Sequence, residues 1–123
     1  MSDRPIIKPQ PVIVNGDMSS SITSTPTILA QKSGASYDVS WTGSPTGTFS
    51  VEMSNTYSLN AEGAVLNAGN WTAVTLSSPI TASGSPDNAL INLAGLEAYA
   101  IRLKYTRTSG SGTLNATVVA KVQ

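Results

Sequence analysis

The chain of 123 residues contains no cysteine and no histidine. Without cysteine there is no disulfide framework, no thiolate metal site and no cysteine nucleophile. Without histidine the commonest general base near neutral pH is missing, and so is the commonest transition-metal ligand. A Ser-His-Asp triad is therefore impossible, however many serines there are. Charge is also scarce, at 11% of residues, with seven Lys+Arg balancing seven Asp+Glu. A net charge of zero removes the electrostatic case for nucleic acid or an anionic membrane as the main partner. No apolar run approaches the length of a membrane span, and Met1–Lys8 does not read as a secretion signal, so synthesis in a cytoplasm is expected.

What fills the space is small and hydroxylated. Serine and threonine make up about a quarter of the chain, well above ordinary usage. One domain is expected from the length, with a core large enough to need no covalent staple.

The hydrophobic pattern has the two-residue period of strands. Tyr99, Ile101, Leu103 and Tyr105 alternate with Ala100, Arg102, Lys104 and Thr106. Ser109-Gly110-Ser111-Gly112 then supplies a reversal, and Leu114, Ala116, Val118, Ala120 and Val122 continue a return strand, so this stretch reads as one long hairpin. A second hairpin is expected where Tyr37, Val39 and Trp41 are followed by Gly43–Gly47 and then Phe49, Val51 and Met53. Shorter strands are expected at Met18–Ser24, Thr27–Gln31, Trp71–Leu76 and Ala89–Leu93, with a turn cluster at Ser83–Asn88. The expected class is all-β, an antiparallel sandwich resembling a jelly roll, with eight or nine short strands.

Prolines at 5, 9 and 11 among Ile6, Ile7, Val12 and Ile13 exclude a helix and favour extended chain. Two readings stand side by side: a first strand along a sheet edge, or an arm that reaches a neighbouring subunit. The domain division drawn on the second reading is an arm over residues 1–16 and a sandwich over 17–123, with Ile6, Ile7, Val12 and Ile13 as interface residues. Residues 57–70 break the alternation and read as a long loop, either a binding element or the cover of a sandwich end.

Candidate chemistry is thin. Asp38 and Glu52, on outward rows of neighbouring strands, face each other if the second hairpin forms, but outward strand carboxylates are usually solvated. Asp87-Asn88 reads as an Asx turn rather than a calcium site. Arg102, Lys104 and Arg107 make a small basic row suited to ion pairs with Glu52, Glu97 or a neighbouring subunit. Trp41 is in phase with the core row, whereas Trp71 opens its strand and is the candidate glycan platform. Asn70-Trp71-Thr72 and Asn115-Ala116-Thr117 match the glycosylation triplet, which carries no weight without a secretion signal. No cofactor and no metal site is expected.

Three stretches taken together, Asn15–Ser24, Gly47–Asn55 and Ile101–Asn115, with Trp71–Ser77 between the second and third, resemble small β-sandwich virion proteins of tailed bacteriophages. The resemblance implies a non-enzymatic capsid decoration (cement) protein, made in the host cytoplasm and located in the virion. Its implied partners are the major capsid protein or another virion protein and further copies of itself, a trimer included, with neither nucleic acid nor membrane. The alternative it leaves open is a carbohydrate-binding, tail-associated or receptor-facing module.

Overall fold

The structure is a computed structural model and describes residues 9–29, 34–74, 76, 80–94 and 98–121. Among them run twelve strand segments: β1 (Gln10–Asp17), β2 (Ile22–Thr23), β3 (Thr27–Ile28), β4 (Gly34–Gly43), β5 (Thr46–Ser54), β6 (Ser58–Leu59), β7 (Val65–Asn67), β8 (Thr72–Val74), β9 (Ile80–Ser83), β10 (Asp87–Ala94), β11 (Ala100–Ser109) and β12 (Gly112–Lys121). No described residue is helical.

One sheet has the order β1-β12-β4-β10; the other has β11 and β5 at its centre, β2 and β3 along one edge, and β8 and β9 along the other. All these pairings are antiparallel. Each sheet thus has four strand positions, and in the second sheet both edge positions are filled by a broken strand. The first break is explained locally. Pro26 has no N–H to give, and Ser24 bridges the gap by donating its backbone N–H to Leu103 O at 2.8 Å and accepting from Leu103 N on its Oγ at 2.8 Å. Successive strands switch sheets except between β5 and β8–β9. That alternation with this strand order is a jelly roll, as the sequence pattern predicts.

The inward rows of both sheets form one core. Tyr37, Val39 and Trp41 on β4 and Leu114, Ala116 and Val118 on β12 meet Phe49 and Val51 on β5 and Ile101, Leu103 and Tyr105 on β11. Phe49 stands between Trp41 and Tyr105, with ring centroids 5.2 and 5.0 Å away. Such aromatic contacts add about 0.5–1.5 kcal/mol each beyond the area they bury. Trp41 keeps its one polar atom satisfied by donating Nε1–H to Ser85 O at 2.9 Å.

Two expectations need correction. Neither long alternating stretch is a hairpin. β4 and β5 lie in different sheets, as do β11 and β12, so each pair is an arch whose two arms face across the core. The alternation is the same in both arrangements, because it records which side chains point inward and not which strand lies alongside. The division at residue 16 also fails for its described part. β1 pairs with β12 as an edge strand, Ile13 is 6% exposed and belongs to the core, and Val12 packs against it. Ile13 and Val12 are therefore not free interface residues of an arm, and residues 10–17 follow the edge-strand reading. Ile6 and Ile7 lie outside the described residues.

Candidate interaction surface

Three surface features follow from this frame. The first is on the outer face of the sheet built on β11 and β5. Arg102 lies directly across from Glu52, and its Nε donates to Glu52 Oε1 at 2.7 Å. The same guanidinium sits 4.2 Å from the ring centroid of Trp71. Tyr57 leans on Trp71 with centroids 5.6 Å apart, and Trp71 Nε1 donates to Ala68 O at 2.8 Å. The tryptophan that the sequence offers as a glycan platform is thus half-buried, with the cation of an ion pair over its ring. A sugar seated on that face would have to displace Arg102. The rest of the basic row does other work: Arg107 Nε donates to Gly110 O at 2.9 Å, and Lys104 stands between Ser50 and Thr23 on the neighbouring strands. Glu97 lies outside the described residues.

The second feature is the stretch expected to be a loop. Residues 58–67 form their own two-stranded ribbon, β6 with β7. Asn60 closes its tip: its side-chain Oδ1 accepts from Glu62 N at 2.9 Å and Ala64 N at 3.0 Å, and Gly63 takes a left-handed φ of 85°. The base is tied to the body through Ser54 Oγ, which accepts from Thr56 N and Tyr57 N at 3.2 Å each, and through Thr56 Oγ1, which accepts from Asn70 N at 2.7 Å. The ribbon exposes Leu59 by 37%, Val65 by 57% and Leu66 by 72%. The sequence pattern shows only a loop here because strands of two and three residues are too short to carry a period.

The third feature is on the opposite side of the molecule. Asp38, Ser40, Asn115 and Thr117 face outward from β4 and β12 and, with Pro11 and Val14 of β1, line a solvent-open depression of about 220 Å³. Asp38 and Glu52 therefore do not face each other. They project from opposite faces of the sandwich, because the strands that carry them are arms of an arch. Sequence could mark Asp38 as outward but could not bring Asn115 and Thr117 beside it, since that neighbourhood is set by a pairing between residues some eighty positions apart.

Two titratable groups in the core and one at the rim are perturbed. Burial pushes the phenols of Tyr37 and Tyr105 upward, with the Thr27 side chain pulling Tyr37 and Arg107 pulling Tyr105 weakly the other way, and among the described residues neither hydroxyl makes a hydrogen bond of good geometry. Asp17 is held below the usual carboxylate range by hydrogen bonds from Ser19, whose N–H lies 2.9 Å from Oδ1, with Arg107 adding a smaller pull. Asp87 opens β10 and accepts from Asn88 N at 2.8 Å, one residue on rather than the two of an Asx turn, so the turn expected at Asp87-Asn88 is not what forms there. No three acidic side chains converge among the described residues.

Comparison with known proteins returns nothing: no family model, no curated protein and no solved structure matches this chain.

Proposed function

We propose that this protein is a structural component of a bacteriophage virion, a capsid decoration protein that binds the outer shell and stabilises it. The observation that carries the reading is the β6–β7 ribbon. Of six large apolar side chains exposed among the described residues, three stand on it. A monomer gains nothing from holding Leu66 and Val65 in water on a ribbon anchored by its own hydrogen bonds, whereas an apolar projection suits insertion between subunits of a shell. The resemblance to phage virion proteins supplies the kind of shell, and a chain without histidine or cysteine suits a protein that acts by occupancy rather than by chemistry. Its place is then the virion, its partner the major capsid protein, and its mechanism added contact area that resists internal pressure.

The test uses purified capsids lacking the protein. Added protein should bind to saturation at a fixed number of copies per particle and raise the temperature at which particles break. Val65→Ser combined with Leu66→Ser should abolish binding while leaving the melting temperature of the free protein within a few degrees. Equal binding by that variant, or failure of the parent protein to bind or stabilise, would sink the reading.

A further inference from the structure

We infer that the depression on the outer face of the four-stranded sheet is a binding site for a neutral carbohydrate, on the far side of the sandwich from Trp71. The inference does not depend on the virion reading. It rests on the arrangement of Asp38, Ser40, Asn115 and Thr117. Asn115 pairs directly with Ser40 and Thr117 directly with Asp38, so the four form a square with two corners on each strand. Cross-strand neighbours of this kind have Cβ atoms about 4.5–5.5 Å apart, and successive outward residues on a strand repeat every ~6.6 Å. A single small molecule therefore reaches all four.

Their hydrogen-bonding capacities are complementary to hydroxyl groups. Asn115 Oδ1 accepts from Asn15 N at 2.9 Å, which fixes the carboxamide and leaves its amino group as donor. The Asp38 carboxylate is an acceptor only, and no ion pair engages it among the described residues. The hydroxyls of Ser40 and Thr117 serve in either sense. A hydroxyl is donor and acceptor at once, so a vicinal diol can give two protons to Asp38 while neighbouring oxygens accept from Asn115. A charge-assisted pair of this kind is the stronger type of hydrogen bond. An anion would meet the carboxylate, and an apolar ligand would strand four polar groups.

The walls fit the other half of a sugar. Pro11 and Val14 form one side, Val14 being 67% exposed. These offer apolar surface to the C–H faces of a pyranose ring. The depression, of about 220 Å³ and open to solvent, has room for a single ring rather than a chain.

The edge strand is shaped for this. β1 departs twice from regular pairing, between Pro11 and Ile13 and between Ile13 and Gly16, so that Ile13 enters the core while Val14 turns out. Asn15 takes a left-handed φ of 51°, which asparagine tolerates better than most side chains, and its N–H donates to Asn115 Oδ1.

The experiment is an amide-resonance titration of the isotope-labelled full chain with glucose, galactose and mannose, with glycerol as an open-chain control. At least one hexose should give saturating shifts at millimolar concentration, centred on Asp38, Ser40, Asn115 and Thr117. Asp38→Asn should weaken that titration about tenfold or more, and Thr117→Val measurably, while Trp71→Ala leaves it unchanged. All three substitutions are checked for folding by thermal melting. The inference is overturned if no hexose saturates, if glycerol matches the hexoses, if the shifts centre on Trp71, or if both site variants titrate like the parent protein.

Discussion

Gly43 and Gly112 meet backbone to backbone: a Cβ placed on Gly43 would stand 2.7 Å from Gly112 Cα. The contact arises because the β4–β5 and β11–β12 arches cross the same end of the sandwich and stack there, with Ser44 N donating to Ser111 O at 2.9 Å. Pro45 lies buried beneath. The corner is thus made from two reversals far apart in sequence, each of which looks on its own like an ordinary hairpin turn.

Substituting this corner should be costly in a way that conformation alone does not explain. Gly43 has φ of 85°, and so does Gly63 at the ribbon tip, but nothing lies within 4 Å of a Cβ on Gly63. Gly63→Ala should therefore cost about 1–2 kcal/mol, the strain of a left-handed residue with a side chain. Gly43→Ala carries that strain plus a collision with the Ser111 carbonyl and Gly112. Its loss in urea unfolding should exceed that of Gly63→Ala by at least about 1 kcal/mol. Equal losses would mean that the arches do not stack.

Leu103 and Arg102 test the register of β11. Leu103 is 0% exposed in the centre of the core, so Leu103→Ala should cost about 2–5 kcal/mol through lost burial and a residual cavity. Arg102 faces outward, and from sequence alone its removal would cost under about 1 kcal/mol. The structure raises that figure. With Glu52 on one side and the Trp71 ring on the other, Arg102→Ala should cost about 1–2 kcal/mol and alter tryptophan fluorescence. A cost for Arg102 equal to that for Leu103 would put the strand out of register.

The contrast shows what was legible in the chain. The inward rows Ile101-Leu103-Tyr105 and Leu114-Ala116-Val118, the burial of Trp41 and the all-β class follow from a two-residue period, which is a local property. Pairing is not local. Nothing in Ser109–Gly112 distinguishes a turn that lays β12 beside β11 from one that sends it to the other sheet. The difference lies in β5 and β4, which take the two strands as neighbours. The surface features inherit the same limit. Arg102 with Glu52 was foreseeable from matching charges on outward rows, but the cation over Trp71 and the square around Asp38 depend on which strands adjoin.

Tyr37 offers a substitution expected to be harmless or better. Its side chain is fully buried, and its hydroxyl has only the Thr27 side chain near it, with no hydrogen bond of good geometry among the described residues. Burying a polar group without a partner costs about 1–3 kcal/mol. Tyr37→Phe removes that group and keeps the ring. Stability in urea should stay within about 0.5 kcal/mol of the parent or rise, and the same holds for Tyr105→Phe. A loss above ~1 kcal/mol in either would reveal a hydrogen bond to that hydroxyl.

The same two phenols set the response to alkali. Burial raises the pKa of each above the ordinary value of 10.0, so the folded chain retains protons that the unfolded chain releases. Stability is therefore fully present below about pH 10 and falls as pH rises beyond it, by at most about 1.4 kcal/mol per pH unit while Tyr37 stays protonated, with Tyr105 adding a share of the same sign. Melting temperatures measured from pH 8 to pH 12 should be flat at first and then decline. Because phenylalanine cannot ionise, Tyr37→Phe should flatten the decline by one proton's share, and the double variant with Tyr105→Phe should flatten it further. A parent curve that stays level to pH 12, or a double variant that declines as steeply as the parent, would contradict the burial of these rings.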